Sequence, residues 1–233
     1  DSGVTLAFQQ VDDYAAPQWP GQQHPQQAHL DFMVDDLELG EAYVSALAPK
    51  VWASSGRENF VESAQKMRER VMQFIPANEI NLEIKLGPGG LRDIEFTVQL
   101  LQLVHGRSDE SVRVADTLSA IHALSEAGYM SRTDAQTFDS HYRFLRSIEH
   151  RIQFSQMRRT HLMPESEIAI RSIARGLNLK WNSESLLQRW NEIKLEVRSL
   201  HQKVFYRPLL SAVAKLGEAA QLSSEQILDR LRA

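Results

Sequence analysis

The sequence IKLGPGGLRDIEF, residues 84–96, connects an alternating apolar segment to a long apolar helix through a glycine-rich turn. Upstream, residues 79–86 (EINLEIKL) alternate between apolar and polar side chains, which predicts a half-buried strand. Downstream, apolar side chains surround most of the helix predicted over residues 90–105, so this helix is expected to be buried. The turn of residues 87–90 either only reverses the chain or also binds a ligand.

Helices dominate the rest of the chain, because apolar residues recur at helical spacing and Pro or Gly follows most of these segments. The predicted helices cover residues 39–47, 57–75, 90–105, 111–127, 131–157, 165–175, 183–206, 208–216 and 223–231. A capping sequence at Ser131 opens the longest of them. The predicted fold class is therefore all-α, a helical bundle with at most one or two short strands.

The first 36 residues differ from this helical body. They are rich in Gln and Pro, and Pro17, Pro20 and Pro25 prevent a continuous helix there. We interpret residues 1–36 as an irregular N-terminal extension or linker and residues 37–233 as one helical domain. The strand predicted over residues 79–86 then needs a partner, either this extension or a domain outside the chain.

Composition excludes several classes of function. The net charge of -4 gives no reason to expect a nucleic-acid partner. Residues 1–49 contain eight acids and no Lys or Arg, so the remaining residues are mildly basic and are compatible with an anionic ligand. The chain has no Cys, and no pair of His residues has metal-site spacing, so no metal site is predicted. No apolar run reaches membrane-spanning length, and we expect a cytoplasmic protein without a membrane partner.

A polar stripe runs along the otherwise apolar helix of residues 90–105. Its members are Arg92, Glu95, Gln99 and Gln102. In one interpretation Arg92 and Glu95 form an internal ion pair and the glycines only make a turn. In the other, backbone N–H groups after Gly89 and Gly90, flanked by Lys85 and Arg92, bind a phosphate or a carboxylate of another domain.

The helix predicted over residues 131–157 and the segment after it carry a second group of basic residues. They are Arg143, Arg146, His150, Arg151, Arg158, Arg159 and His161. They form either a solvated basic face with Glu149 as a local partner, or a surface for a nucleotide or an acidic protein.

The stretch IKLGPGGLRDIEFTVQLLQLVHGR, residues 84–107, resembles the glutamine synthetase adenylyltransferase/adenylyl-removing enzymes. In that family a helical domain follows a nucleotidyltransferase domain and carries the signature K-x-G-x-G-G-[IL]-R-[DE]-[IV]-E-F-x-x-Q. The matching residues are Lys85, Gly87, Gly89, Gly90, Leu91, Arg92, Asp93, Ile94, Glu95, Phe96 and Gln99. The resemblance extends to residues 141–153 and 201–210, and it is strongest to the first, adenylyl-removing half of actinobacterial enzymes. PII uridylyltransferases share a shorter G-G-x-R-D version.

The resemblance implies a function for the complete enzyme. Such an enzyme transfers AMP to glutamine synthetase or removes it by phosphorolysis, with Mg²⁺ and ATP or ADP, under control of the PII signal protein. The metal-binding motif G-S-x-x-D-x-D of nucleotidyltransferases is missing, since the chain contains no Gly-Ser dipeptide. The chain is therefore expected to be a helical domain without catalytic residues of its own, whose partner is the missing nucleotidyltransferase domain.

The resemblance also implies which residues face the nucleotide or the catalytic cleft. The primary candidates are Lys85, Gly87, Gly89, Gly90, Arg92, Asp93, Glu95 and Gln99, and the secondary candidates are Arg146, Glu149 and Arg151. Two alternatives remain open. The chain is a non-catalytic module that docks glutamine synthetase or a PII-type regulator, or it is a fragment of a PII uridylyltransferase.

Overall fold

The computed structural model describes residues 37–157 and 160–206. Over these ranges it has seven α-helices and no strand, which confirms the all-α prediction. The helices are α1 (Leu37–Ala53), α2 (Phe60–Gln73), α3 (Leu91–His105), α4 (Thr117–Glu126), α5 (Arg132–Gln156), α6 (Glu167–Leu177) and α7 (Ser183–Phe205). None of these helices is both long and apolar enough to cross a membrane. The extension of residues 1–36 and the helices predicted over 208–216 and 223–231 lie outside the described residues.

Helix α1 belongs to a compact unit that ends at Ala53. The sequence predicts that this helix ends at Leu47 because Pro49 follows, but the helix continues through Pro49 to Ala53 and the prediction is wrong. Proline removes one backbone donor from a helix. Since the side chains around Ser45 are exposed, water can bind the carbonyl oxygen that Pro49 leaves without a partner, and the helix continues.

Helix α3 is the central helix of the second compact unit, which begins at Ser54. It packs against α2, α4, α5 and α7. Its buried apolar residues are Leu91, Ile94, Val98, Leu100, Leu101 and Val104, and α7 contributes Leu186, Trp190, Ile193, Val197, Leu200, Val204 and Phe205. A helix that is apolar on most sides requires neighbours on most sides. The burial predicted for this helix is therefore confirmed.

Local capping sets where two of the helices begin. The Oγ of Ser131 accepts a hydrogen bond from the backbone N–H of Asp134 at 3.1 Å, which is the cap predicted for the longest helix. The carboxylate of Asp116 caps α4 by accepting from the N–H of Ser119 at 2.9 Å. Because Asp116 has an extended backbone, the helix predicted over 111–127 is instead a short 3₁₀ turn followed by the shorter helix α4.

Residues 79–86 do not form the predicted strand. They form turns, with one isolated antiparallel bridge between Glu83 and Leu162. The backbone N–H of Ile84 donates to the carbonyl oxygen of His161 at 3.0 Å. Among the described residues the partner of this segment is therefore a loop of the same chain, and pairing with the extension or with another domain stays a prediction.

The buried side chain of Glu83 explains why the alternating pattern misleads. Its Oε1 accepts hydrogen bonds from the backbone N–H groups of Lys85 and Leu86, both at 2.9 Å. The Nδ1 atom of His161 lies 2.8 Å from the same oxygen. A carboxylate that binds N–H groups two and three residues further along stabilises a turn at the expense of a strand.

A buried ion pair joins α2, α3 and α7. The fully buried guanidinium of Arg68 donates to Asp93 Oδ1 from Nε at 2.9 Å and from Nη2 at 2.6 Å. The other oxygen, Oδ2, accepts from the N–H of Gly89 at 2.8 Å and from Nη1 of Arg198 at 3.4 Å. A buried charge requires partners of this kind. Asp93 therefore fixes the glycine turn relative to three helices.

His201 of α7 lies against the same ion pair. Its Nδ1 is 3.0 Å from the carbonyl oxygen of Asp93 and 2.8 Å from the Oγ1 of Thr97. A carbonyl oxygen can only accept, so Nδ1 carries the proton. Burial lowers the pKa of His201 to about 4, since the opposing effect of Asp93 is smaller and Arg68 adds to the lowering. His201 is therefore neutral at pH 7.

The pKa of His201 predicts a loss of stability in mild acid. The unfolded chain takes up a proton on this side chain near the ordinary pKa of 6.5, whereas the folded chain does so only near pH 4. The contribution to the free energy of unfolding is therefore complete above pH 6.5 and is lost as the pH falls from 6.5 to 4. The slope from this one group is at most about 1.4 kcal/mol per pH unit. Urea unfolding at a series of pH values measures it.

The variant His201→Gln cannot take up this proton, so its stability should depend less on pH than that of the wild type. His150→Gln is the matched control, because His150 is exposed on α5 and its solvation changes little on unfolding. We expect this control to keep the wild-type slope. Equal slopes for the wild type and His201→Gln would contradict a neutral His201 in the folded chain.

Candidate functional site

The backbone N–H groups of the glycine turn have acceptors within the chain. Every N–H group from Gly89 to Asp93 donates a hydrogen bond, at 2.8 to 3.1 Å. The N–H of Gly89 donates to the Asp93 carboxylate. The other four donate to carbonyl oxygens: Gly90 to Gly87, Leu91 to Ile84, Arg92 to Lys85 and Asp93 to Gly90. The hypothesis that these N–H groups are free to bind a phosphate is therefore wrong.

The glycines of the turn are required by close packing. Gly89 has a φ of +73°, and a Cβ there would overlap the carbonyl oxygen of Lys194 in α7. A Cβ on Gly90 would lie 2.7 Å from the carbonyl oxygen of Ile84. Gly87 is also buried, with backbone close to the position that its Cβ would occupy. These three residues, predicted to face a ligand, are packing positions.

Three further predicted residues do not join the other candidates. Asp93 is fully buried behind the turn, so the expectation that it faces a cleft is corrected. Gln99 is exposed, seven residues after Arg92. Arg151 is exposed as well, and its guanidinium lies against Gly176 of α6.

The remaining candidates lie together in one row of ion pairs and hydrogen bonds. This ion-pair row consists of two linked groups, Arg92–Glu95–Tyr142 and Arg146–Glu149–Lys85, which adjoin where Tyr142 and Arg146 follow each other on α5. Arg92 and Glu95 come from the start of α3, and Lys85 comes from the loop before the turn. The other three residues follow one another on α5 at spacings of four and three, which places them on one side of that helix.

One half of the row is built on a buried carboxylate. Glu149 is only 1% exposed, and its Oε1 lies 3.0 Å from Nζ of Lys85. Its Oε2 accepts a hydrogen bond from Nη1 of Arg146. The side chains of Lys85 and Arg146 are 22% and 35% exposed. The carboxylate therefore lies beneath two cations that reach the solvent.

The other half of the row contains the ion pair proposed for the start of α3. Nη1 of Arg92 lies 3.0 Å from Oε2 of Glu95, with side-chain exposures of 38% and 12%. The hydroxyl of Tyr142 donates to the Oε1 of Glu95 at 3.4 Å. Burial raises the pKa of Tyr142, and a hydrogen bond with Thr117 opposes this effect. Tyr142 therefore keeps its proton and can donate a hydrogen bond to Glu95.

Sequence reasoning did not identify Tyr142, although it precedes Arg146 by one helical turn in the segment HYRFLRSIEH. It also placed Glu149 near the basic residues of its own helix as their local partner. The structure gives Glu149 two partners, Arg146 of the same helix and the signature residue Lys85, which is 64 positions away.

The chemistry of the ion-pair row suits an anion. It contains three cations and two carboxylates, and both carboxylates are already paired with cations of the row. Among the described residues, the side chains of Lys85, Arg92 and Arg146 each donate one hydrogen bond, so each side chain has further N–H groups that bind none of those residues. No three His, Asp or Glu side chains in the described ranges are grouped so that they could bind a metal ion. The row thus supplies positive charge and hydrogen-bond donors, and it does not fit Mg²⁺.

Known proteins resemble the chain over most of its length. Residues 58–205 match the family model described as GlnD PII-uridylyltransferase. The bifunctional glutamine synthetase adenylyltransferase/adenylyl-removing enzyme of Leifsonia xyli is 55% identical over 86% of the chain and 21% of that protein. Enzymes of the same name from Streptomyces coelicolor and Mycobacterium tuberculosis are 54% and 47% identical, over 84% and 79% of the chain and 20% and 19% of their own lengths. The chain therefore spans about a fifth of these relatives.

Two glycines with positive φ give a test of the packing at the turn. Gly89→Ala should lower the free energy of unfolding by about 2–5 kcal/mol, because it adds a backbone overlap to the strain of a left-handed residue. Gly128→Ala is the matched control, since Gly128 has a φ of +81° and open space around it. It should cost only about 1 kcal/mol. Equal losses in chemical unfolding would contradict the tight contact between the turn and α7.

Proposed function

Because the chain belongs to the family described as GlnD PII-uridylyltransferase, we propose that it is the helical domain of a bifunctional glutamine synthetase adenylyltransferase/adenylyl-removing enzyme. The names of its relatives favour this choice within the family, since those of 47–55% identity carry that name. The complete enzyme would transfer AMP from ATP to glutamine synthetase, or remove it. We expect it to act in the cytoplasm, under control of the PII signal protein.

In this proposal the ion-pair row forms one wall of the catalytic cleft. The observation that carries it is the placement of Lys85, Arg92 and Arg146, three partly exposed cations held in one row by buried or half-buried carboxylates. A nucleotidyltransferase domain would form the other wall and would supply the Mg²⁺-binding acids. When bound there, Mg²⁺ would neutralise phosphate charge and orient the reacting oxygens.

The contribution of this chain would be binding and orientation. Negative charge on the phosphate oxygens must be stabilised during nucleotidyl transfer, and fixed cations do so without rearranging during the reaction. Glu95 and Glu149 hold Arg92, Lys85 and Arg146 in place before a substrate arrives. The residues of the row would therefore lower the barrier without exchanging a proton with the substrate.

Two alternatives have specific support. The row would also suit an acidic protein surface, so the chain could dock glutamine synthetase or a PII-type regulator without taking part in chemistry. The description of the family model favours a uridylyltransferase that acts on PII. The test incubates purified full-length protein with labelled ATP and glutamine synthetase, and separately with labelled UTP and PII. The functions are distinguished by which nucleotide becomes attached to which protein.

Arg92 gives the sharpest test of a role for the row in catalysis. Arg92→Ala in the full-length enzyme should lower the rate of AMP transfer or removal by about a hundredfold, because one fixed donor to the developing charge is lost. Its free energy of unfolding should change by less than about 1 kcal/mol, since the ion pair with Glu95 is partly exposed. Initial rates and chemical unfolding of the same preparation measure both effects.

The matched control is Arg189→Ala. Arg189 forms an ion pair with Glu192 at 3.2 Å, also three residues apart and also exposed, but on α7. We expect it to retain full activity. If Arg92→Ala instead loses stability while its folded fraction transfers AMP at the normal rate, Arg92 has only a structural role.

A further inference from the structure

We propose that Glu149 is a positioning residue that holds Lys85 and Arg146 as a two-cation clamp for one phosphate group. The inference rests on the proposed function, because it takes the ion-pair row to face a substrate that carries phosphate. The shared chemistry is the phosphate group itself, which either ATP or inorganic phosphate could provide.

The clamp follows from the two oxygens of one carboxylate. Oε1 of Glu149 accepts from Lys85 and Oε2 accepts from Arg146, so the two cationic groups are neighbours. Two like charges that contact the same carboxylate would repel each other if the negative charge between them were removed. Glu149 therefore determines whether the two cations can stay side by side.

The elements that carry the clamp are fixed on both sides. Glu149 is buried on α5 between the core residues Ile148 and Ile152. The backbone of Lys85 is held by its N–H bond to Glu83 at 2.9 Å, and its carbonyl oxygen accepts from the N–H of Arg92 at 2.9 Å. The two cationic side chains are partly exposed above this fixed base, and such preorganisation is what a phosphate site requires.

The clamp has unused donors for a ligand. Within the described residues, Lys85 donates one of its three N–H groups and Arg146 one of its five. Together with Glu149 the group carries a charge of about +1, which favours an anion. Charge-assisted hydrogen bonds to phosphate oxygens are the strong class of such bonds.

An ion pair on the same helix shows the contrast. Arg143 and Asp139 form a single pair at 2.8 Å, four residues apart, with side-chain exposures of 61% and 38%. That carboxylate holds one cation from its own helix. Glu149, in contrast, is buried and joins partly exposed cations from two elements of the fold, which is the arrangement expected of a site that an anion can reach.

The test is isothermal titration calorimetry of the chain with inorganic phosphate and, separately, with ATP, at constant ionic strength. Lys85→Met and Arg146→Met should each lower the affinity for at least one of the two ligands by about tenfold, the loss of one charge-assisted hydrogen bond. Glu149→Gln should also lower it, although it makes the chain more positive by one charge. Loss only with ATP assigns the clamp to a nucleotide phosphate, and loss with inorganic phosphate assigns it to the free ion.

The sign of the Glu149→Gln effect separates positioning from neutralisation. Asp139→Asn is the matched control, because it changes the charge of α5 by the same amount without touching the clamp, and it should leave the affinity unchanged or slightly higher. An unchanged or higher affinity for Glu149→Gln would overturn the proposal, as would the absence of binding by the wild type at millimolar ligand.

Folding of the variants is checked by their unfolding curves. If Glu149→Gln does not fold, Glu149→Asp, which keeps the charge but shortens the side chain, takes its place with the same expected loss. The outcome is independent of the transfer assay. Full-length enzyme that binds ATP or inorganic phosphate through this clamp but does not transfer AMP would overturn the proposed function alone. Normal binding of both ATP and inorganic phosphate by Lys85→Met would overturn the clamp alone.

Discussion

The fully buried carboxylate of Asp93 is the constraint on which the rest of this structure depends. It receives hydrogen bonds from Arg68, Arg198 and the N–H of Gly89, and so connects two helices and the glycine turn to the start of α3. Because Asp93 and nearby carbonyl oxygens occupy the N–H groups of the turn, the positive end of the helix dipole points at the protein itself. A glycine-rich turn before a helix is therefore not sufficient evidence of a phosphate site.

The same constraint divides the signature into two sets of residues. Gly89, Gly90 and Asp93 face the interior and hold the turn against α7. Lys85 and Arg92 leave the same segment toward solvent and enter the ion-pair row. Arg92 and Asp93 are successive residues of α3, and such residues point about 100° apart. One short motif can therefore contain both a buried residue that fixes the turn and a cation that reaches solvent.

Sequence reasoning succeeded where the determining interaction is local. The burial of α3 follows from its own apolar pattern, and the cap at Ser131 involves a residue three positions away. It failed where the partner is distant in sequence. The alternation of residues 79–86 gave no indication that the carboxylate of Glu83 turns inward to bind backbone N–H groups and His161, 78 positions away. Nor does any local pattern pair Lys85 with Glu149, since that contact depends on how α5 packs beside the loop.

Two carboxylates in this fold each bind more than one cation, and their surroundings give them different capacities. Around Asp93 the main cation, Arg68, is fully buried, so the arrangement can stabilise the fold but is closed to a ligand. Around Glu149 the cations are partly exposed and keep unused N–H groups. The two sites are mechanically connected, because the backbone N–H of Arg92, next to Asp93, donates to the carbonyl oxygen of Lys85. The interior ion pair thus sets the position from which Lys85 reaches the surface. The geometry of the exposed site therefore depends on the buried carboxylate of Asp93, which is inaccessible to a ligand.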